Sequence, residues 1–191
     1  MQKSGVIKLR CSWVDSKDKE YIAYHDTEWG VPVHNERTLF EMLILEGFQA
    51  GLSWQCVLHK RENFRLAFDN FDVKKVALYD EKKMKKLMQN KGLIRHKLKI
   101  AGAIKNAKVF LEIQKEFGLF DAYIWHWTKR NIVSADGTQT RSELSDKISK
   151  DLKRRGMSFV GTTIIYAYLC AIGIINAHER ECDFKRRKNA L

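Results

Sequence analysis

Apolar residues in this chain recur mostly three and four positions apart and seldom alternate, so the pattern predicts helix after helix and few strands. LFEMLILEGFQAG is one such segment; Asn35 or Thr38 can cap it, and Thr38 and Glu41 stand at capping-box spacing. Ser53 is placed to cap the next, WQCVLHKRENFRLAF. Asp72 and Asp80 open two short amphipathic stretches, the second being DEKKMKKLMQN. The segment 98–117, LKIAGAIKNAKVFLEIQKEF, keeps helical spacing for about five turns. The clearest loop is TKRNIVSADGTQTRS, 128–142. SELSDKISKDLKRRG then reads as a helix, followed by a hairpin and an apolar helix over 161–175. The longest apolar run, 159–175, is interrupted by Gly, Thr and Tyr, which suits a buried core helix better than a membrane span. No internal repeat, low-complexity tract or long linker divides the chain. A single all-α unit over 1–191 is expected, with a helix–hairpin–helix element at about 145–175 and a short basic tail, 183–191, expected to be disordered.

The hairpin lies within LKRRGMSFVGTTIIYAYLCAIG, 152–173. Gly156 and Gly161 would let backbone approach a phosphate, and the amides opening the second helix, from Thr162, would donate to it. Lys153, Arg154 and Arg155 put positive charge at the same edge. A plain turn between packed helices fits the same residues. QNKGLIRHKLK, 89–99, is a weaker candidate with one glycine, and its Lys and Arg read equally well as a solvated face.

Composition is that of an ordinary globular protein, 45% hydrophobic and 30% charged, which argues against disorder. Charge alters the picture more. The excess of 35 Lys and Arg over 23 Asp and Glu gives a formal +12 and implies a polyanionic partner, most often nucleic acid. Four cysteines show no framework spacing, and MQKSGVIKLRC lacks the long apolar region of a secretory signal, so a reducing cytoplasm is the expected compartment.

If HEREC is helical, His178 and Cys182 share one face and offer half of a tetrahedral metal site. Cys170 sits within the apolar run and Cys56 in an amphipathic helix; His34, His59, His96 and His126 have polar or basic neighbours that suit solvated side chains. Cys11 and His25 remain as partners. Spacing alone does not separate such a Cys2His2 site from coincidence.

Several stretches together resemble the bacterial 3-methyladenine DNA glycosylase I family: RCSWV, YIAYHDTEWGVP, LFEMLILEGFQAGLSW, LIRHKLKI, RRGMSFVGTTI and HEREC, in order from about residue 10 to 182. The YHDxEWG and LEGxQAGLSW patterns are the specific ones. The resemblance implies an all-α, helix–hairpin–helix DNA-repair fold with one structural zinc per chain, held by Cys11, His25, His178 and Cys182 and joining the N- and C-terminal segments. Four protein ligands leave no open position, so such a zinc would not activate water. It also implies a base pocket of Tyr21, Tyr24 and Trp54, with Trp13 as a further wall and Glu46 as the catalytic carboxylate. Tyr24 and Trp54 are expected to sandwich the base, and Gly51 and Leu52 to fill the gap left in the duplex.

The residues themselves are compatible with that picture. Glu46 lies three and seven positions after Leu43 and Leu39, on the apolar stripe of its helix, although an edge-of-stripe Glu reaching solvent has the same spacing. The aromatics could equally be core. The implied reaction is hydrolysis of the N-glycosidic bond of 3-methyladenine in alkylated double-stranded DNA, after the nucleotide is flipped out, with the free base as product. No Asp stands at Asn176, Ala177 and His178, and no Lys at Thr162 and Thr163, which predicts a monofunctional enzyme that leaves the strand uncut. The family pattern has Gln where this chain has Phe48, a position expected to face away from the pocket. A monomer is the default expectation, cytoplasmic and nucleoid-associated when on DNA, with no membrane partner. The alternatives are a non-catalytic helix–hairpin–helix zinc protein that binds DNA, and a zinc protein that binds RNA or another protein.

Overall fold

The computed structural model describes residues 8–186 and is mostly helical. Ten α-helices occur among them: α1 Lys19–Thr27, α2 Glu36–Gln49, α3 Trp54–Leu58, α4 Arg61–Ala67, α5 Val73–Ala77, α6 Glu81–Gln89, α7 Lys97–Phe117, α8 Phe120–His126, α9 Glu143–Arg154 and α10 Thr162–Ala171. Their starts follow from side chains that satisfy first-turn amides: Asp18, Asn35, Ser53, Asp72, Asp80, His96 and Ser142 each accept from the backbone of the helix they precede. At α2 the cap is Asn35, and the Thr38–Glu41 capping box does not form. Glu41 turns inward instead, its Oε1 accepting from Arg61 at 2.6 Å and from Arg65 at 2.8 Å.

The architecture centres on α2, buried from Leu39 to Phe48 and packed against α3, α7, α8 and α10. A helix apolar all round belongs inside a bundle. Phe48 fits this: it meets Phe64 at 4.7 Å between ring centroids and faces away from the pocket described below. Three sequence expectations need correction. The segment after Ser53 is two helices, because the chain turns at His59 and Lys60; His59 Nε2 lies 2.7 Å from Asp18 Oδ2, and Arg61 swings inward to Glu28 and Glu41. The apolar helix does not run to 175. It ends at Ala171, and Ile175–Asn176 form a strand, β2, parallel to β1 at Val133–Ser134. The fold is therefore mostly helical and not all-α. Third, part of the tail is ordered: Asp183–Arg186 form a 3-10 helix, with Phe184 buried against Cys11 and Cys182. The rest of that tail, 187–191, and the N-terminal residues 1–7 lie outside the described residues. Among those described, no helix is long and apolar enough to cross a membrane.

Candidate functional site

The apolar surroundings of α2 set the state of its one carboxylate near the helix end. Glu46 is 3% exposed, and its Oε2 has no hydrogen-bond partner among the described residues. Burial pushes its carboxyl up from the usual 4.5 to about 8. An unpaired buried carboxylate costs several kcal/mol, so the site favours either a proton on Glu46 or a cation beside it.

Glu46 opens onto a cavity of about 460 Å³, a size ordinary for small-ligand sites. Trp13, Tyr21, Tyr24 and Trp54 line it, as do Gly51 and Leu52 from the turn after α2. The sequence thus named seven residues that the fold gathers around one space. Tyr24 and Trp54, the pair expected to sandwich a base, pack directly on one another here. Their ring centroids are 5.3 Å apart with planes at 42°, so they touch each other; a ring held between them would need about 7 Å, twice a van der Waals separation. Trp13 and Tyr21 make a second tilted pair at 5.2 Å. The Trp54 Nε1 is buried without a partner among the described residues.

Behind Trp13 and Trp29, two walls of the cavity, the terminal segments meet. Leu9 N donates to Asp183 Oδ2 at 2.8 Å, Asp183 N to Leu9 O at 3.0 Å, and Ser12 donates twice to Glu179. Here the atoms of Cys11, His25 and Cys182 that could ligate a metal, all buried, lie within 4.8 Å of one another. Cys182 Sγ and His25 Nε2 are 3.5 Å apart. Tetrahedral zinc with bonds of about 2.3 Å to sulfur and about 2.05 Å to nitrogen would separate them by about 3.6 Å, so the pair fits. His178 stands beside the three, its ring 5.2 Å from that of His25, although its nitrogens fall outside the close group. The Nδ1 of His25 meets Asp26 Oδ1 at 2.8 Å and that of His178 meets Asn176 Oδ1 at 2.9 Å. Such outer contacts orient an imidazole so that Nε2 faces a metal. Gly30 makes the approach possible, since a Cβ there would lie 2.6 Å from His178 Cε1.

The expected DNA contacts are less uniform. Gly156 and Gly161 frame the turn between α9 and α10, and Arg154 is exposed, paired with Asp151. Arg155 faces the protein, bound to Glu116 and Asp151 and lying over Phe117 and Tyr123, so its guanidinium is already engaged. Thr162 Oγ1 is likewise tied to Asp146 at 2.5 Å and to Ser145 at 2.9 Å, which leaves its backbone amide at the start of α10 as the group available to an anion.

The family model for methyladenine glycosylase matches residues 13–186. The chain belongs to the methyladenine glycosylase family. It is 45% identical over 178 residues to DNA-3-methyladenine glycosylase 1 of Escherichia coli (strain K12), covering 91% of this chain and 95% of that one. A DNA-3-methyladenine glycosylase of Haemophilus influenzae (strain ATCC 51907 / DSM 11121 / KW20 / Rd) is 41% identical over 181 residues, 92% of this chain and 97% of the other. Among solved structures, a crystal structure of 3-methyladenine DNA glycosylase I matches with a TM-score of 0.87 at 44% identity, covering 92% of this chain and 98% of that one. A variant of 3-methyladenine DNA glycosylase I in complex with 3-methyladenine matches with a TM-score of 0.89 at 30% identity, covering 94% and 99%.

Several walls of this methyladenine glycosylase cavity were not named as site residues from the sequence. Trp29 joins from the turn after α1, Gly137, Gln139 and Thr140 from the 128–142 loop, and Thr163 and Tyr166 from α10. The loop reaches the cavity because β1 ties its start to β2, a pairing too short to read from alternation. Tyr166 sat within an apolar run where a core aromatic looks the same. Cys170, expected as a core thiol, is buried and also borders the cavity.

Proposed function

We propose that this chain excises 3-methyladenine from alkylated double-stranded DNA in base-excision repair, leaving an abasic site in an uncut strand. The observation that carries the reading is Glu46: a buried carboxylate, its Oε2 unpartnered, opening onto an aromatic cavity. Such a group accepts hydrogen bonds from a flipped adenine and gains most from a base that brings positive charge, which N3-methylation supplies. Aromatic faces add about 1–3 kcal/mol of stacking per base. A damaged nucleotide is also cheaper to unstack.

In the reaction, water oxygen bonds to C1′ of the deoxyribose while the C1′–N9 bond breaks. The bonding pair moves onto N9, neutralises the purinium and releases neutral 3-methyladenine, and the water gives up a proton to solvent. The leaving group is activated before binding, so alignment and electrostatic stabilisation suffice without a strong acid. Glu46 is the only carboxylate lining the cavity among the described residues, and no lysine lines it. With no amine among the described lining residues, the cavity favours the reading without a Schiff base or strand cleavage.

The helix–hairpin–helix reading assigns α9, the turn at 155–161 and α10 to the duplex backbone, with Gly156, Gly161, the Thr162 amide and Arg154 nearest phosphate. Gly51 and Leu52 then occupy the gap in the stack; Leu52 is 42% exposed, unusual for an apolar side chain at a cavity mouth. Cys11, His25, His178 and Cys182 would hold one zinc, with all four positions filled by protein, so that it fastens the terminal segments and takes no part in the chemistry. To test the function, methylated duplex DNA is incubated with the protein and with Glu46→Gln, and released purines are separated by chromatography. Free 3-methyladenine from the parent only, with the strand intact, is expected. Release of nothing by folded parent protein would leave a non-catalytic DNA-binding role as the better account.

A further inference from the structure

α7 begins with a residue that its own helix disfavours. Lys99 lies in the first turn, where the helix dipole repels a cation and where α7 has no acidic residue. It is also buried, at 7% exposure. Its partners belong to another helix: Nζ donates to Phe48 O at 2.8 Å and to Ala50 O at 2.6 Å. Those are terminal carbonyls of α2, which has no basic residue in its own last turn. The ammonium therefore caps the helix that carries Glu46 and grips the turn leading to Gly51 and Leu52.

One and two turns further along the same face of α7 come Gly102 and Asn106. Asn106 is 3% exposed and clamps the hairpin twice: its Nδ2 donates to Ser158 O at 2.8 Å, and Ser158 N donates to its Oδ1 at 2.8 Å. Gly102 makes room for the next residue, Phe159, whose Cδ2 would lie 2.9 Å from a Cβ on Gly102. Phe159 has φ +57°, a conformation that a bulky residue holds only when its surroundings enforce it. Its Cβ also lies against Gly47 of α2, 3.4 Å from where a side chain there would begin.

We propose that α7 is a brace that sets the spacing between the two DNA-facing loops, with Lys99 fixing the 50–52 turn and Asn106 fixing the 156–161 hairpin. Both are positioning residues for base extrusion and touch neither base nor phosphate. The proposal rests on the glycosylase reading above. It separates two properties that a general loss of structure would change together. Binding of the free base needs only the cavity, whereas excision from duplex also needs both loops in register.

The test compares the full-length parent with Lys99→Met and Asn106→Ala. Tryptophan fluorescence reports the affinity for free 3-methyladenine, and base release from methylated duplex gives kcat/KM. Each variant is expected to bind the free base within about twofold of the parent and to lose at least about tenfold in excision, since misplacement of this kind is costly. Lys99→Arg, which keeps a cation at the carbonyls, should recover most of the loss. Should Lys99→Met not fold, Asn106→Ala makes the same comparison from the other end of α7. A folded variant that excises within about twofold of the parent overturns the proposal, as does loss of free-base affinity in proportion to excision. A parent that releases no 3-methyladenine would instead sink the glycosylase reading before any variant is compared.

Discussion

Replacing Glu46 by Gln should make the unliganded protein more tolerant of alkaline pH, because the native state holds the Glu46 proton more tightly than the unfolded chain does. Burial raises that carboxyl from 4.5 to about 8. Its contribution to stability is present in full below 4.5 and is lost as pH rises through 8. Between those two values each step of one in pH removes about 1.36 kcal/mol. From 4.5 to pH 7 the loss is therefore on the order of 3 kcal/mol, a large part of a domain's stability. Gln keeps the shape and removes the titration. Its buried amide adds a cost of about 1–3 kcal/mol, but that cost does not vary with pH. Urea unfolding followed by tryptophan fluorescence, at intervals from about pH 5 to 8, gives the difference between the two proteins. That difference should move in favour of Glu46→Gln by about 1.4 kcal/mol for each step of one in pH across most of this range. Titrations shared by both proteins, including those of the cysteine cluster, cancel. Parallel curves would refute the reasoning, since they would mean that Glu46 ionises in the native protein as it does in the unfolded one.

The same group should govern catalysis: kcat/KM for release of 3-methyladenine is expected to rise with pH, bend near 8 and level off above it, as Glu46 ionises in the free enzyme. A flat profile from pH 6 to 9, measured on methylated duplex, would remove the electrostatic role assigned to it. Arg61→Met should destabilise by about 3 kcal/mol in urea, the lower end for breaking a buried pair, because Glu41 keeps Arg65 at 2.8 Å. A cost below about 1 kcal/mol would show that the Glu28–Arg61–Glu41 chain is not an essential brace. Chelation should lower Tm, and zinc but not magnesium should restore it, in keeping with two thiolates and two imidazoles. Equal melting with and without chelator in protein that metal analysis finds zinc-loaded beforehand would count against the metal.

What could be read from the sequence was local. The caps at Asp72, Asp80 and Ser53, the long periodic α7 and the place of Glu46 on the stripe of Leu39 and Leu43 all depend on residues within a turn or two, although that spacing left the burial of Glu46 open. Spacing left the partners of His178 and Cys182 open, and the family resemblance pointed to Cys11 and His25. Long-range pairing left no such trace. Nothing near Lys99 announces that its ammonium will cap α2, 49 and 51 residues earlier in the chain, and a lysine in LIRHKLKI reads as solvated. The break at His59 has no proline or glycine to mark it, because the cause is a distant Asp18. The split of the apolar run into α10 and β2 depends on Val133 and Ser134, some forty residues away in sequence. How Tyr24 and Trp54 lie relative to one another was not legible either, since ring orientation depends on packing from several elements at once.

The meeting of Leu9 with Asp183 and of Ser12 with Glu179 has a consequence for how the protein is made. Trp13, a wall of the cavity, packs with Trp29 on the cluster built by Cys11, Cys182 and Phe184. Residues 9–13 thus wait for residues 178–184 to leave the ribosome before they take their final place. Because α2 packs against α10 and residues up to Ala177 border the Glu46 cavity, that cavity stays unfinished until nearly all of the described length has emerged. Truncated products of interrupted translation would carry Glu46 without a finished cavity, and so would have little capacity to remove bases from DNA.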